Sequence, residues 1–580
     1  MKKIFFKALL AFGAITIPLA GGAAILSSCS SSTTSTTDLS QTQAAIYWRN
    51  FVNETHQRLT GNRYNFNSNN IDGTTYGLKD YNDLQELYPL STTTVEKNHN
   101  NYGSYHAYEW LLKTVEDMGY SHLTENISYP EAATITSENT TTSSGTAVKK
   151  YTVTPADGTK YYSTGNYNQT DESGVYYSVP ASVITNAPSA ENAKLLLQTG
   201  IVTQPFLWSG MENATHTGNT PAVFNNVGNN LIVTINPDES VESTNEAYDF
   251  YIISHYDSTV KLGAGQSQAS WGATDNATAV AVNLAILKYF SNSENRAKLK
   301  TRLHIVFDDA EEVGILGSHA FVKQYLDASD TTSEDTDDNT SSESMDTFSV
   351  DKKVLYPTLA SSWGMINIDT IGGGDYLYLH TTSTTSPDAS SYNTSSFIRD
   401  VLKSASNSIA SSKSDSQYKF NIHKQHHSPA SEDPSYDLAE GEAPDWVDHS
   451  AFYQIAKIPA AAIEATNFEL LSAYGSFDGY SQTINRNAWL TYDLVPVDLK
   501  KTTDDNGQAI WVLPDNLTLD DLLIKGDIWH SDIDTIEWLA AYIGLSRVYK
   551  QLDATYQSII QMLETTTPKL TDSSYNNSNK

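Results

Sequence analysis

The feature that most constrains the fold is a repeated alternation of short apolar runs and helix-like segments after Gly228. The apolar runs are nearly continuous, which is typical of strands buried on both faces. They are Leu231–Val233, Tyr251–Ile253, Leu303–Phe307, Met365–Ile368 and Ile458–Ile463, and the helix-like segments include Ala277–Phe290, Gly317–Leu326 and Ser395–Ala410. Because such strands need helices on both faces, the pattern predicts an α/β domain with a mixed, largely parallel central sheet.

Charge and cysteine content limit the function classes. The 580-residue chain has 36 Lys+Arg against 68 Asp+Glu, a formal charge of −32. We expect no nucleic-acid partner, because phosphate recognition needs clustered Lys and Arg. The single cysteine, Cys29, excludes a disulfide framework and a cysteine-based zinc site.

The N-terminus predicts export and anchoring. A basic start precedes an apolar stretch over 4–26, and Leu26-Ser27-Ser28-Cys29 resembles the bacterial lipoprotein box. The resemblance implies that Cys29 is lipidated, with palmitate as an acyl chain, and becomes the mature N-terminus. An uncleaved membrane anchor is the alternative. Both interpretations predict a protein tethered to a bacterial cell membrane and facing the outside, and a lipid anchor makes the membrane a partner through Cys29.

Composition shifts divide the chain into six segments. The α/β domain is predicted over 228–563, interrupted by an acidic insert over 327–351 and a polar insertion over 468–525. The other segments are a signal peptide over 1–28, a Ser/Thr-rich tether over 29–45, N-terminal helices over 46–119, a β- and loop-rich insertion over 120–227, and a disordered tail over 564–580.

Histidines and carboxylates follow the predicted strands and open the predicted helices. In an open α/β sheet, ligands bind beyond the carboxyl ends of the strands, so we expect these side chains to meet at one edge. They are His255 and Asp257 after the second run, Asp275 before the helix at 277, Glu311 and Glu312 after the third run, Asp369 after the fourth, and His530 before the last helix.

Two imidazoles with three carboxylates suit a pair of zinc ions. One carboxylate would have to bridge the ions, and Asp275, held at a helix start, is the natural choice. Glu311 and Glu312 point in opposite directions on an extended segment, so one can bind metal while the other acts as a base. Asp257 suits the role of orienting the His255 ring.

These motifs resemble those of the co-catalytic di-zinc aminopeptidase family, which includes secreted leucine-type aminopeptidases, glutamate carboxypeptidases and, more distantly, glutaminyl cyclases. The matching motifs are His255-x-Asp257, Gly272-Ala273-x-Asp275-Asn276, Glu311-Glu312-x-Gly314-x-x-Gly317-Ser318, Asp369 and Trp529-His530-x-x-x-Asp534-Thr535. Ile458–Asn467, followed by Asp478-Gly479-Tyr480, resembles the bacterial alkaline phosphatase isozyme conversion aminopeptidase subgroup.

The resemblance implies a zinc aminopeptidase fold and a role for each motif residue. His255 and Asp369 would bind one Zn²⁺ ion, Glu312 and His530 would bind a second, Asp275 would bridge the two, and Glu311 would be the general base. The domain over 228–563 would then be a di-zinc peptidase domain. The implied activity is a zinc-dependent exopeptidase, an aminopeptidase acting on peptides with a free N-terminus.

Two further residues are candidates near the site. Val447-Asp448-His449-Ser450 resembles a Ser-Asp-His segment near the active site of many family members, which makes His449 a rival to His530 for the last ligand position. We prefer His530, because Trp529-His530 with Asp534-Thr535 matches the ligand motif. Glu464, at the end of a predicted strand, is a candidate for binding the substrate's α-amine.

Three alternative functions stay open. A carboxypeptidase would favour an arginine for the substrate carboxylate, and Arg296, Arg302, Arg399 and Arg486 lie beside no metal motif. A glutaminyl cyclase of the same fold is the second alternative. A non-catalytic surface lipoprotein is the third, and the presence of every expected ligand together with Glu311 disfavours it.

Overall fold

The structure, a computed structural model, describes most of the chain after residue 37. The described residues are 38–56, 102–123, 129–131, 133–141, 145, 147–170, 176–209, 226–237, 247–258, 272–312, 314–328, 350–381, 396–422, 447–470, 481–493, 495–503, 507, 509–526, 528–529 and 533–570. The chain divides into two units, Met1–Asp38 and Leu39–Lys580, and every element below belongs to the second. Cys29, the signal peptide over 1–28, most of the acidic insert and His530 lie outside the described residues.

The centre of the molecule is an 11-stranded mixed sheet. Its strands are β1 (Thr134–Thr141), β2 (Ala147–Thr154), β3 (Thr159–Thr170), β4 (Tyr176–Asn186), β5 (Gly200–Ser209), β6 (Asn226–Ile235), β7 (Asp249–His255), β8 (Arg302–Asp308), β9 (Ser362–Ile368), β10 (Tyr376–Thr381) and β11 (Ala460–Thr466). The order across the sheet is β1-β2-β4-β5-β6-β8-β7-β9-β11-β10, and β3 pairs with β4. The predicted mixed α/β class is therefore confirmed.

Parallel pairing is concentrated in the middle of this sheet. β8, β7, β9 and β11 are neighbours and run parallel, with His255 opposite Asp308 and Ile463 opposite Ile368. Outside this section most pairs among the described strands are antiparallel, and of these strands only β2 with β4 adds a parallel pair. The parallel share is thus smaller than the apolar runs alone suggested. The four parallel strands end at the same edge, which brings the residues that follow them together.

The strands β1 to β5 continue the main sheet, although the sequence pattern suggested an insertion over 120–227. β5 pairs with β6 along nine residues, from Gly200 opposite Thr234 to Trp208 opposite Asn226. β6 in turn pairs with β8. Long-range pairing makes these polar, Tyr-rich strands part of the same sheet.

Helices cover both faces of the parallel section. They are α1 (Gln43–His56), α2 (Tyr102–Asp117), α3 (Ala190–Leu195), α4 (Ala277–Phe290), α5 (Ser293–Arg296), α6 (Leu316–Tyr325), α7 (Val350–Leu355), α8 (Phe397–Lys413), α9 (His449–Gln454), α10 (Ile536–Trp538) and α11 (Leu545–Thr565). One core cluster joins α1, α2, α4, α8 and α11 to one face, and a second joins α6 and α9 to the other. α4 is apolar almost all round because it lies between the sheet and α1.

The apolar residues at 3.6 spacing from Thr535 to about Leu563 predict one long closing helix, and this expectation needs correction. The long helix predicted from Thr535 to Leu563 is broken at Gly544, which has a positive φ of 90° and separates a π-helical turn over Leu539–Ile543 from α11. The polar insertion over 468–525 forms two small two-stranded sheets and contributes to the core. Trp489, in the first of these, is fully buried. Their strands are β12 (Trp489–Thr491), β13 (Lys500–Thr503), β14 (Ala509–Val512) and β15 (Leu522–Lys525).

Within the part of the chain that the structure describes, no helix combines the length and apolarity needed to cross a membrane.

Candidate metal centre

Three of the predicted ligands meet at the carboxyl ends of β7 and β9. His255 is the last residue of β7, and its Nε2 lies 3.3 Å from Asp275 Oδ1 and 3.4 Å from Asp369 Oδ1. All three side chains are buried. Their ligand atoms lie within 4.8 Å of one another, as a shared metal ion requires.

The spacing of these atoms fits zinc. Ligand atoms about 2.0–2.1 Å from a tetrahedral zinc ion lie about 3.3 Å from one another. The separations of 3.3 and 3.4 Å between the imidazole nitrogen and the two carboxylate oxygens match that value. One nitrogen and two oxygens are also a donor set that zinc commonly takes.

The glutamate pair forms a second group with the same histidine. Glu311 and Glu312 follow β8, are partly exposed, and have carboxylate oxygens within 4.8 Å of a ring nitrogen of His255. The resemblance implies that Glu312 joins His530 on a second ion. His530 lies outside the described residues, so the second ligand set stays a prediction.

Asp257 connects the histidine to the glutamate pair. Its Oδ1 lies 3.4 Å from His255 Nδ1, the ring nitrogen on the side away from Asp275. The backbone N–H of Glu311 donates to Asp257 Oδ1 and that of Glu312 donates to Oδ2, both at 3.3 Å. The Asp257 backbone carbonyl lies 3.2 Å from the same ring nitrogen. Asp257 therefore contacts the ring through its carbonyl and its carboxylate, and the carboxylate also holds the backbone of the glutamate pair.

Positive backbone angles occur beside two of the functional carboxylates. Ala310 (φ 60°) precedes Glu311, and Thr370 (φ 46°) follows Asp369. A residue with a side chain in this region costs about 1–3 kcal/mol and persists only where surrounding contacts hold it. The N–H of Ala310 donates to Asp309 Oδ1 at 2.9 Å, which is one such contact. The strain is located at the turns that carry the candidate ligands and base.

Asn276 ties the two ligand-bearing loops together. Its Nδ2 donates to the Ile368 carbonyl at 3.0 Å, and its Oδ1 accepts from Thr370 N–H at 3.2 Å. An Asp-Asn pair before a helix usually supplies a cap, but the Asn276 side chain makes no capping bond to α4. Local sequence signals missed this role because the partners follow a strand more than ninety residues away.

Burial and charge shift the pKa values of the cluster. Burial acts to lower the pKa of His255, but the carboxylates of Asp257, Asp275 and Asp369 outweigh it and raise that pKa well above its usual value. Burial raises the pKa of Glu311 well above its usual range, and the charge of Asp448 adds to the effect. The carboxylates that favour a proton on His255 would equally favour a metal cation.

Glu464 and His449 lie in a neighbouring buried group. Glu464 Oε1 contacts His380 Nε2, and both side chains are buried. Burial raises the pKa of Glu464, and the charge of Asp369 raises it further. His449 packs against Tyr453 with ring centroids 5.5 Å apart. Among the described residues neither residue belongs to a potential metal-binding group.

Sequence reasoning missed two members of this neighbourhood. His380 lies on β10, which no apolar run in the sequence predicts. Asp308 follows an apolar run directly, but the sequence pattern assigns it no role. Burial raises its pKa well above the usual range, as does the neighbouring charge of Asp448. The signal available beforehand was chain position, since Asp308 ends β8 directly opposite His255.

Comparison with known proteins gives low-identity likenesses. A zinc aminopeptidase from Bacillus subtilis is 16% identical with a TM-score of 0.29, over 60% of this chain and 54% of that one. A Zn-dependent exopeptidase from Parabacteroides distasonis is 14% identical with a TM-score of 0.32, over 65% and 87%. A glutaminyl cyclase from Bacteroides thetaiotaomicron, bound to N-acetylhistamine, is 12% identical with a TM-score of 0.33, over 66% and 99%.

The chain spans about half the length of the Bacillus subtilis enzyme. No curated protein matches the sequence. One family model does match, over a stretch that begins in β6 and ends after β11 and so contains His255, Asp275, Glu311, Glu312 and Asp369. Residues 230–474, less than half of the chain, match the model of peptidase family M28.

Proposed function

We propose that this protein is a zinc-dependent exopeptidase, and specifically an aminopeptidase that removes N-terminal residues from peptides outside the cell. The observation that carries the proposal is the meeting of His255, Asp275 and Asp369 beside the Glu311-Glu312 pair at one edge of the parallel strands. The match of residues 230–474 to peptidase family M28 supports the same class of enzyme.

Two zinc ions are part of this proposal. His255 and Asp369 would hold one ion, Glu312 and His530 the other, and Asp275 would be shared. When bound, zinc supplies Lewis-acid chemistry, polarising the scissile carbonyl and making water a better nucleophile at neutral pH. Asp257 keeps the His255 ring in the orientation that presents Nε2 to Asp275 and Asp369.

Glu311 would be the general base. It removes a proton from the attacking water and later delivers one to the leaving amine, a role worth roughly 10²–10⁴-fold in rate. A pKa raised by burial supports this assignment, because a base that titrates nearer the working pH can both take and return the proton. Its backbone N–H is anchored on Asp257, which limits how far the carboxylate moves.

Specificity for a free amino terminus would come from a carboxylate near the metal site. Glu464 is the candidate: it is buried on β11, contacts His380, and is close enough to Asp369 for that charge to raise its pKa. A buried carboxylate can accept a charge-assisted hydrogen bond from the substrate's ammonium group, and such bonds are shorter and stronger than neutral ones.

The arginines favour an aminopeptidase over a carboxypeptidase. A carboxypeptidase needs a cation for the substrate's terminal carboxylate. Four described arginines already form ion pairs: Arg302 with Asp249, Arg399 with Asp400, Arg486 with Asp498 and Arg547 with Asp375.

The activity is tested with the full chain in detergent, loaded with zinc. The substrates are a panel of chromogenic aminoacyl amides and their N-acetylated counterparts. We expect hydrolysis of the free amines only, loss of hydrolysis with a chelator, and its return with zinc. Equal hydrolysis of both series would contradict the aminopeptidase assignment. No hydrolysis of either series by protein shown to hold zinc would contradict the exopeptidase itself.

We also propose that the protein is anchored to the bacterial cell membrane through a lipid on Cys29 and faces the outside. The experiment compares wild type with Cys29→Ser in cells fed a radioactive or clickable palmitate. Label on the wild type alone, with release of the variant from the membrane fraction, is the expected result. Unlabelled wild type would contradict lipidation.

A further inference from the structure

The loop that carries Asp275 is held from two sides by residues outside the stretch that matches the peptidase family. The loop is Gly272–Asn276, immediately before α4. Asp534 contacts it from the segment before α10, and Trp48 contacts it from α1. Both residues lie beyond residues 230–474.

Asp534 accepts several hydrogen bonds from consecutive loop residues. Its Oδ1 accepts from Thr274 N–H at 2.7 Å and from the Thr274 hydroxyl at 2.9 Å. Its Oδ2 accepts from Asp275 N–H at 3.2 Å, and its carbonyl accepts from Ala273 N–H at 3.3 Å. Asp534 is fully buried. These bonds define the path of the loop up to the Asp275 backbone.

Trp48 holds the same loop from the opposite direction. Its Nε1–H donates to the Ala273 carbonyl at 2.6 Å, and the whole side chain is buried. The ring also packs edge-on against Tyr549 of α11, with centroids 5.9 Å apart. The Ala273 peptide is thus bound at its carbonyl by Trp48 and at its N–H by Asp534.

Asp534 also joins two predicted ligand segments. It lies four positions after His530 in the sequence, and its carboxylate accepts hydrogen bonds from the N–H groups of Thr274 and Asp275. A shift of either segment is therefore transmitted to the other through short hydrogen bonds. Groups that hold a ligand's backbone in place typically change metal affinity or activity by about 10–100-fold when they are removed.

We propose that Asp534 and Trp48 are positioning residues that hold the Asp275 loop in its metal-binding conformation, so that metal affinity depends on both. The inference rests on the proposed zinc site and concerns how this chain pre-organises it. Because Trp48 belongs to α1, the N-terminal helix becomes part of the metal-binding machinery.

The test compares zinc affinity with the stability of the metal-free protein in the full chain. Asp534→Asn keeps the shape of the side chain but presents an NH₂ group to the loop N–H donors. Thr274→Val removes one donor to Asp534. Trp48→Phe removes the N–H that reaches Ala273 together with part of a buried ring. Tyr120→Phe is the matched control, because the Tyr120 hydroxyl donates to the Leu287 carbonyl at 2.8 Å at the far end of the same helix α4.

Zinc affinity is measured by competition with a chromophoric chelator, and unfolding is followed in excess chelator. We expect Asp534→Asn to weaken zinc binding by roughly 10–100-fold. Trp48→Phe and Thr274→Val should each weaken it by roughly five-fold, the value of one ordinary hydrogen bond. Tyr120→Phe should lower metal-free stability by about the value of one hydrogen bond while leaving zinc affinity unchanged. At saturating zinc, we expect kcat to fall in Asp534→Asn with little change in KM.

The outcomes separate this inference from the proposed function. Wild type that binds no zinc would overturn the proposed function, and this is visible before any variant is measured. Wild type that binds zinc, with variants of unchanged affinity, would overturn the positioning role alone. The same conclusion follows if Tyr120→Phe weakens zinc binding as much as Trp48→Phe, because the effect would then be general loosening of α4.

Discussion

The two ends of strand β7 use the same residue types for different purposes. At its first residue, Asp249 accepts from Arg302 Nη1 at 3.0 Å and pairs with His304 Nε2 at 2.8 Å. At its last residue, His255 lies among Asp257, Asp275 and Asp369 at 3.3–3.4 Å. Both groups are buried, and both combine imidazole with carboxylate.

The two ends of β7 differ in the ratio of carboxylates to basic side chains. At the Asp249 end a guanidinium balances the carboxylate, and burial lowers the pKa of His304. At the other end three carboxylates surround one imidazole and raise the pKa of His255 in spite of burial. A buried charge needs a partner, so the first end is a closed structural network and the second favours an added cation. A buried histidine beside an aspartate occurs at both ends and so does not identify a functional site. The surplus of negative charge at the His255 end is what marks that end as the candidate metal site.

The largest expected effect separates the two ends by their response to zinc. Asp275→Asn removes the proposed shared ligand, so activity should fall to background. The zinc-dependent gain in unfolding free energy, about 2.7 kcal/mol at a hundred times Kd, should disappear with it. Asp249→Asn should be less stable than wild type without zinc but should still gain stability when zinc is added. Thermal unfolding with and without zinc measures both variants. A gain that survives in Asp275→Asn would contradict the assignment of the metal end.

The second prediction concerns the chemistry at the His255 end of β7 alone. Glu311→Gln removes the proposed base but keeps a side chain of the same shape, so kcat should fall by roughly 10²–10⁴-fold while zinc affinity is retained. Glu116→Gln, at a carboxylate that is 44% exposed, is the control and should leave kcat unchanged. A Glu311→Gln enzyme that keeps most of its turnover would exclude this residue as the base.

The third prediction concerns the charge balance at the Asp249 end of β7. Arg302→Met leaves Asp249 buried without its guanidinium, and breaking a buried ion pair costs about 3–5 kcal/mol of unfolding free energy. Arg486→Met removes an exposed pair with Asp498 and should cost less than about 1 kcal/mol. Urea unfolding measures both. Equal costs for the two variants would show that burial does not set the strength of the Asp249 network.

The smallest expected effect is a pH dependence from a buried neutral histidine. Burial lowers the pKa of His449 to about 3, against about 6.5 in an unfolded chain. Below pH 6.5 the unfolded state binds a proton that the folded state does not, so stability falls as the pH drops. The slope is at most about 1.4 kcal/mol per pH unit. In chelator-treated His449→Asn protein, the free energy of unfolding should fall less steeply between pH 7 and 5 than in wild type. Urea unfolding measures both. Identical slopes for the two proteins would contradict a buried, neutral His449.

Much of the candidate site was predictable because its pieces are local in sequence. His255, Glu311 and Asp369 each follow an apolar strand, and strand ends can be found from hydrophobic runs alone. The roles within the Glu311-Glu312 pair came from a family resemblance and are untested. What surrounds these residues is harder to predict, because His380 carries no local signal that separates it from an ordinary strand residue, and the position of Asp308 at a strand end is its only signal.

The sequence by itself determined which residues reach the functional edge, since the order of strands and helices follows from short-range apolar patterning. Only the tertiary structure decided that β1–β5 join the main sheet, that Asn276 ties two loops instead of capping a helix, and that Trp48 and Asp534 meet at the Asp275 loop. The contacts of Trp48 and Asp534 with this loop join residues more than two hundred positions apart. They form because a buried polar group needs a hydrogen-bond partner, and that partner can come from any part of the chain.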